Sequence, residues 1–222
     1  MSATRRRMMD SGSKVAPDGR ILDSWAKIIS NINAGRAQKC YQPGFYKELT
    51  RSTGETLRMV LCGFDKETLA SGGKAKTRWS SYEVMSEDHR TSKYLSANFD
   101  VSETLPEPVK SNVKTIVHKY QIYEGDGNGT WPSSYKTGNF KTWMPTKEDV
   151  SDLYNSSNKV WPKAKCKPGS TTKVEWFTAS YDLWTPHYNA AFRMYVKTNG
   201  ALSTMNDNVN KLSAPVPLCF CI

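Results

Sequence analysis

The chain has 222 residues, with 31 Lys and Arg against 21 Asp and Glu, for a formal net charge of +10. That length fits one domain, with or without an arm, and excludes a multi-domain machine. Seven Trp, 11 Tyr and 7 Phe argue against wholesale disorder, and no run approaches the roughly 18 to 20 apolar residues of a bilayer-spanning helix.

In chain order, residues 1–19 are polar, carry Arg5-Arg6-Arg7, Gly12, Pro17 and Gly19, and show no helical or strand periodicity. They predict a flexible basic arm. They also lack a compact apolar signal core, which disfavours export. Ile21, Leu22, Trp25, Ile28, Ile29 and Ile32 then recur at three- and four-residue spacing. This predicts an amphipathic helix over about 20–34, with Asp18 as a candidate N-cap and Gly35 where the helix stops.

Beyond Pro43 and Gly44 the pattern changes to short β-branched and aromatic runs punctuated by Gly, Asn, Ser and Pro. The predicted strands are Leu57–Phe64, Thr77–Met85, Tyr94–Val101, Val113–Tyr123, Lys136–Trp143, Lys173–Leu183, Ala191–Thr198 and Pro217–Ile222. Large groups on both faces of the strand around His118 predict that it is central. Thr146 and Asp149 resemble a capping box for a short helix over Lys147–Tyr154, and Asn206–Leu212 is a weaker helix candidate. Many short strands without βαβ alternation predict a mainly β fold. The expected form is an antiparallel sandwich or jelly-roll-like barrel carrying an N-terminal helix, with an α+β domain as the alternative. Residues 20–222 would form that single domain.

Motifs for chemistry are scarce. Glu124-Gly125-Asp126-Gly127-Asn128-Gly129 imitates a calcium loop, but Tyr135 occupies the twelfth position where a closing Glu belongs. A hairpin turn fits better. His89, His118 and His187 lie beside no nucleophile elbow or cysteine-protease signature; His118 reads as a core or edge residue of its strand. Gly72-Gly73-Lys74 lacks the rest of a phosphate loop and reads as a flexible basic loop. Cys40, Cys62, Cys166, Cys219 and Cys221 form no CxxC pair and predict reduced, mostly buried thiols. Cys219 stands where a prenylation box would want it, yet Val216, Leu218, Phe220 and Ile222 alternate as a strand does. No cofactor and no metal site is expected, and the chain is not expected to be an enzyme, although an enzyme without a readable motif is a third alternative.

Charge is the stronger signal. Residues 1–50 hold nine basic groups, Arg5, Arg6, Arg7, Lys14, Arg20, Lys27, Arg36, Lys39 and Lys47, against four acidic ones. A second run places Lys159, Lys163, Lys165, Lys167 and Lys173 between Leu153 and Val174 with no acidic residue among them. Such clusters attract phosphates or anionic surfaces. Arg5, Arg6, Arg7, Lys14, Arg20, Lys159, Lys163, Lys165 and Lys167 are therefore the candidate nucleic-acid-binding residues. Aromatic residues among them, as in Lys141-Thr142-Trp143, Lys159-Val160-Trp161 and Lys173-Val174-Glu175-Trp176, either stack on single-stranded bases or form core beneath a lysine-rich face.

A basic arm, an amphipathic helix, a Trp- and Tyr-rich strand region and the lack of a catalytic grouping together resemble the structural proteins of RNA viruses, of coat or matrix type. The coat resemblance implies a self-assembling jelly-roll shell with the arm on single-stranded RNA. The matrix resemblance implies a basic core bridging nucleocapsid and anionic membrane. Either implies the virion and host cell cytoplasm as its location. The PPxY budding motif of many matrix proteins is absent, and the arm is less Arg-dense than many coat-protein arms.

Overall fold

A computed structural model describes residues 14–85, 100–123, 133–143, 174–177, 190–197, 202–208 and 217–222. The protein is mainly β with antiparallel sheets and an N-terminal amphipathic helix. The helix is α1, Trp25–Asn33, followed by a single-turn helix α2, Ala37–Cys40. Two further short turns are a 3-10 helix at Ser102–Thr104 and α3 at Val109–Asn112.

The largest sheet has the order β1-β2-β4-β11-β7, formed by Tyr46–Thr50, Thr56–Gly63, Arg78–Val84, Pro217–Cys221 and Thr142–Trp143 respectively. A second sheet has β5, Ile116–Tyr123, between β3, Thr68–Leu69, and β6, Ser133–Phe140. A third has β9, Ala190–Lys197, between β8, Val174–Phe177, and β10, Leu202–Asn208. The arrangement is sandwich-like.

Alternation sorts the large sheet into two faces. Leu49, Leu57, Met59, Leu61, Trp79, Leu218, Phe220 and Ile222 share one core cluster with Trp25, Ile28, Ile29 and Ile32 of α1. Trp25 meets Trp79 edge to face, with ring centroids 5.1 Å apart, and its Nε1 donates to the Glu48 carbonyl at 2.9 Å. Val60, Cys62, Ser80, Cys219 and Cys221 lie at the alternate positions and are buried too. Both faces of the sheet are thus covered.

The helix begins later than its spacing suggests. Ser24, with its side chain accepting from the Lys27 amide at 3.2 Å, is the N-cap in place of Asp18. Ile21 and Leu22 belong to an extended stretch bonded to β1, which their apolar spacing imitates as a helical turn. The stop is as expected: Gly35 adopts φ 68° and its amide donates to the Ile32 carbonyl.

The predicted strands at Leu57–Phe64, Thr77–Met85, Val113–Tyr123, Lys136–Trp143, Ala191–Thr198 and Pro217–Ile222 correspond to β2, β4, β5, β6 with β7, β9 and β11. Lys173–Leu183 is described as a strand only over Val174–Phe177. Val101 caps the 3-10 helix and is not in a strand, while most of Tyr94–Val101 lies outside the described residues. Asn206–Asn208 extend β10 and are not helical. The segments around Glu124–Gly129 and Lys147–Tyr154, with His89, Cys166 and His187, lie outside the described residues, although β5 and β6 pair antiparallel up to Tyr123 and Ser133.

Candidate polyanion-binding surface

The edge strand β1 is overlaid by residues 14–22. Val15 bridges to Ile21, the Ala16 amide donates to the Arg20 carbonyl at 2.8 Å, and Gly19 makes the turn at φ 91°. The Tyr46 amide donates to the Gly19 carbonyl at 3.1 Å and the Ile21 amide to the Tyr46 carbonyl at 2.7 Å. Lys14–Gly19, expected to be the last part of a flexible arm, are therefore pinned to the domain. The remainder of that arm, with Arg5, Arg6 and Arg7, lies outside the described residues.

Side chains lock the same stretch. Asp18 accepts from the Arg20 amide at 3.0 Å and from the Tyr46 hydroxyl at 2.9 Å. The first of these, then the second, holds the Asp18 carboxyl below its ordinary range. Asp23 accepts from the Lys14 amide at 3.3 Å and from the Tyr41 hydroxyl at 2.9 Å. Tyr41 in turn accepts from Asn31, which accepts from Arg36. Burial, reinforced by Asp23, raises the Tyr41 hydroxyl well above the usual phenol range.

Two acids are thereby engaged in holding the hairpin, while the Lys14 and Arg20 side chains are exposed on it. Lys47 lies alongside, with its Nζ donating to the Ile21 carbonyl at 3.3 Å, and Arg58 stacks 4.1 Å from the Tyr82 ring centroid on the same sheet. Of the nine candidate residues, Lys14 and Arg20 are brought together on one hairpin. Lys159, Lys163, Lys165 and Lys167 lie outside the described residues.

The aromatic interleaving around Trp143 resolves as core. Thr142 and Trp143 are buried and Lys141 is exposed, so this ring is not presented for base stacking. The side chains of Trp161 and Trp176 are outside the described set.

Cys219 is wholly buried in β11 between β4 and β7, with its Sγ donating to the Ser80 Oγ at 3.4 Å. The strand reading of Pro217–Ile222 is the observed one over Pro217–Cys221. Cys40, Cys62 and Cys221 are likewise buried.

One buried polar node is absent from the sequence-level candidates. Glu67 accepts from Arg78 Nη1 at 2.9 Å and lies 3.8 Å from His118 Nδ1, joining β4 of the large sheet to β5 of the second. His118 packs at 5.4 Å against Trp143 and at 6.3 Å, edge to face, against Phe140. It is the core residue its alternation predicts. Burial pushes the nearby Cys221 thiol up, keeping it protonated, which is the opposite of the thiolate that nucleophilic chemistry needs. The node is a fastening between sheets. Among the described residues no group of three His, Cys, Asp or Glu side chains is arranged to hold a metal ion, and no helix is long and apolar enough to cross a membrane.

Comparison with protein-family models, with curated proteins and with solved structures returns no match.

Proposed function

We propose that this protein is a virion structural protein of coat type, which assembles with copies of itself and binds single-stranded RNA by releasing counterions. The reading is carried by the basic hairpin on the sheet edge. Asp23 is buried and Asp18, though exposed, is occupied by the Arg20 amide and the Tyr46 hydroxyl, while the Lys14 and Arg20 side chains are exposed and the Arg5-Arg6-Arg7 segment precedes them in the chain. A formal charge of +10 supplies long-range attraction to phosphate. The protein acts in stoichiometric amounts in the virion and in the cytoplasm of the host cell.

If six basic side chains reach phosphates, affinity for single-stranded RNA falls roughly 300-fold between about 50 and 200 mM salt. The experiment is fluorescence anisotropy with a labelled single-stranded RNA over that range, on the full chain and on the R5A/R6A/R7A variant, together with light scattering with and without RNA. Salt-steep binding that the triple variant weakens, with growth in particle mass on adding RNA, is the expected result. A chain that stays monomeric and ignores RNA overturns the proposal. Binding to vesicles containing phosphatidylserine without binding to RNA transfers the protein to the matrix type.

A further inference from the structure

A second cationic surface exists away from the hairpin, built from lysines that form no run in the sequence. Lys66, Lys74 and Lys76 are exposed, and Lys76 faces Asp65. Lys74 Nζ donates to the Lys66 carbonyl at 3.2 Å and to Thr68 Oγ1 at 3.0 Å, and Lys76 Nζ stands 3.9 Å from Asp65 Oδ1. The other acid of the segment, Glu67, is turned inward to Arg78 and His118, so it does not offset the lysines at the surface.

The backbone is shaped to hold this arrangement. Asp65 has φ 51°, the one positive value at a non-glycine residue among the described residues. The Gln38 amide group of α2 donates to its carboxylate at 3.0 Å. Asp tolerates the left-handed region better than most residues, and such retained conformations cluster at functional sites. Gly72 and Gly73 follow at φ 93° and 80°, with open space where a Cβ would point, so the turn beside Lys74 presents bare backbone to solvent.

We propose that Lys66, Lys74 and Lys76 form a second contact surface for the phosphodiester backbone of nucleic acid. The inference rests on the function proposed above and extends it. Two basic surfaces on one protomer let a strand be held at two points or bridged between neighbouring copies. Nucleic acid suits the surface better than a bilayer. The side chains between the lysines, Ala70 and Ser71 at the tip, are small, whereas stable membrane attachment usually adds an inserted apolar group or a lipid to the charge.

The experiment compares the full chain with K66A/K76A, with R5A/R6A/R7A, and with K110A as a control at a lysine paired with Glu103, using labelled single-stranded RNA between about 50 and 200 mM salt. Lys74 is left in place because it also ties the turn, and circular dichroism checks that each variant is folded. Each phosphate contact with a single strand contributes about 0.7 to the logarithmic salt slope, so losing two lowers the slope by about 1.4 and weakens binding roughly tenfold near 100 mM salt. K110A should match the parent. If the parent binds and the arginine variant weakens but K66A/K76A matches K110A, this inference is overturned and the coat reading stands. If the parent binds no RNA, the coat reading itself falls. Loss of binding to phosphatidylserine vesicles in K66A/K76A, with RNA affinity unchanged, overturns the assignment to nucleic acid.

Discussion

Glu67 and Arg78 pair at 2.9 Å with side chains only 13% and 4% exposed, and through them the strand at the centre of the large sheet is fastened to the segment leading into β3. An ion pair at this depth is costly to break from one side, because the remaining charge keeps its desolvation penalty. Glu67→Gln should therefore lose about 3–5 kcal/mol of unfolding free energy, read from urea titration. His118→Phe, which keeps an aromatic ring against Phe140 and Trp143, should lose less. An E67Q variant within about 1 kcal/mol of the parent would show that the pair is not a structural fastening.

The contact of Trp25 with Trp79 carries a second expectation. Truncating Trp25 removes its ring from the core and also the donor to the Glu48 carbonyl. Trp25→Ala should cost about 3–5 kcal/mol and Trp25→Phe less, measured by the same titration with circular dichroism as the signal.

Acid should loosen the hairpin that carries Lys14 and Arg20. Asp18 has an ordinary value of 3.8 and is held below it by bonds from the Arg20 amide and Tyr46 hydroxyl. A carboxyl lowered in the fold stabilises above its unfolded value and loses that contribution as the pH falls through the folded one. Asp100 behaves alike: burial pushes it up, but bonds from Ser102 and Thr142 outweigh burial and hold it down. Hydrogen-exchange protection of the Ile21 and Tyr46 amides should thus fall as the pH drops below 3.8, and should lose this pH response in Asp18→Asn. Equal responses in the two proteins would rule Asp18 out as the cause.

The buried thiols give a chemical test of the sheet. Cys40, Cys62, Cys219 and Cys221 should react slowly with a disulfide reagent in the native protein and rapidly once it is unfolded. In a Cys40→Ala/Cys62→Ala/Cys166→Ala background, where only Cys219 and Cys221 remain, a fast-reacting thiol in the native protein would contradict the placement of β11 between β4 and β7.

Much of this fold is legible in residue order because its hydrophobic periods are clean. Ile28, Ile29 and Ile32 mark the buried side of α1, and Leu218, Phe220 and Ile222 mark one face at β11. The strand β1 is obscure by contrast. Leu49 is its one fully buried side chain, among Tyr46, Lys47, Glu48 and Thr50, and edge strands seldom show more. Asp18 competes as a cap because Ile21 continues the helical spacing, yet its carboxylate is engaged by Tyr46, 28 positions away. The grouping of Lys66 and Lys76 with the basic loop at Lys74 is invisible for a similar reason. Lys66 and Lys74 are eight positions apart with two acids nearby, and only the fold reveals that Glu67 turns inward.

Strand β11 takes its place beside β4 with Leu218 bonded to Ser81, a partner 137 positions earlier. On the ribosome, Trp79 and the isoleucines of α1 must therefore wait until β11, 137 positions after Ser81, has been made before their shared core can close. Nascent chains will expose that apolar face until then, so chaperone capture and loss to aggregation should govern yield more than the strength of the finished fold does.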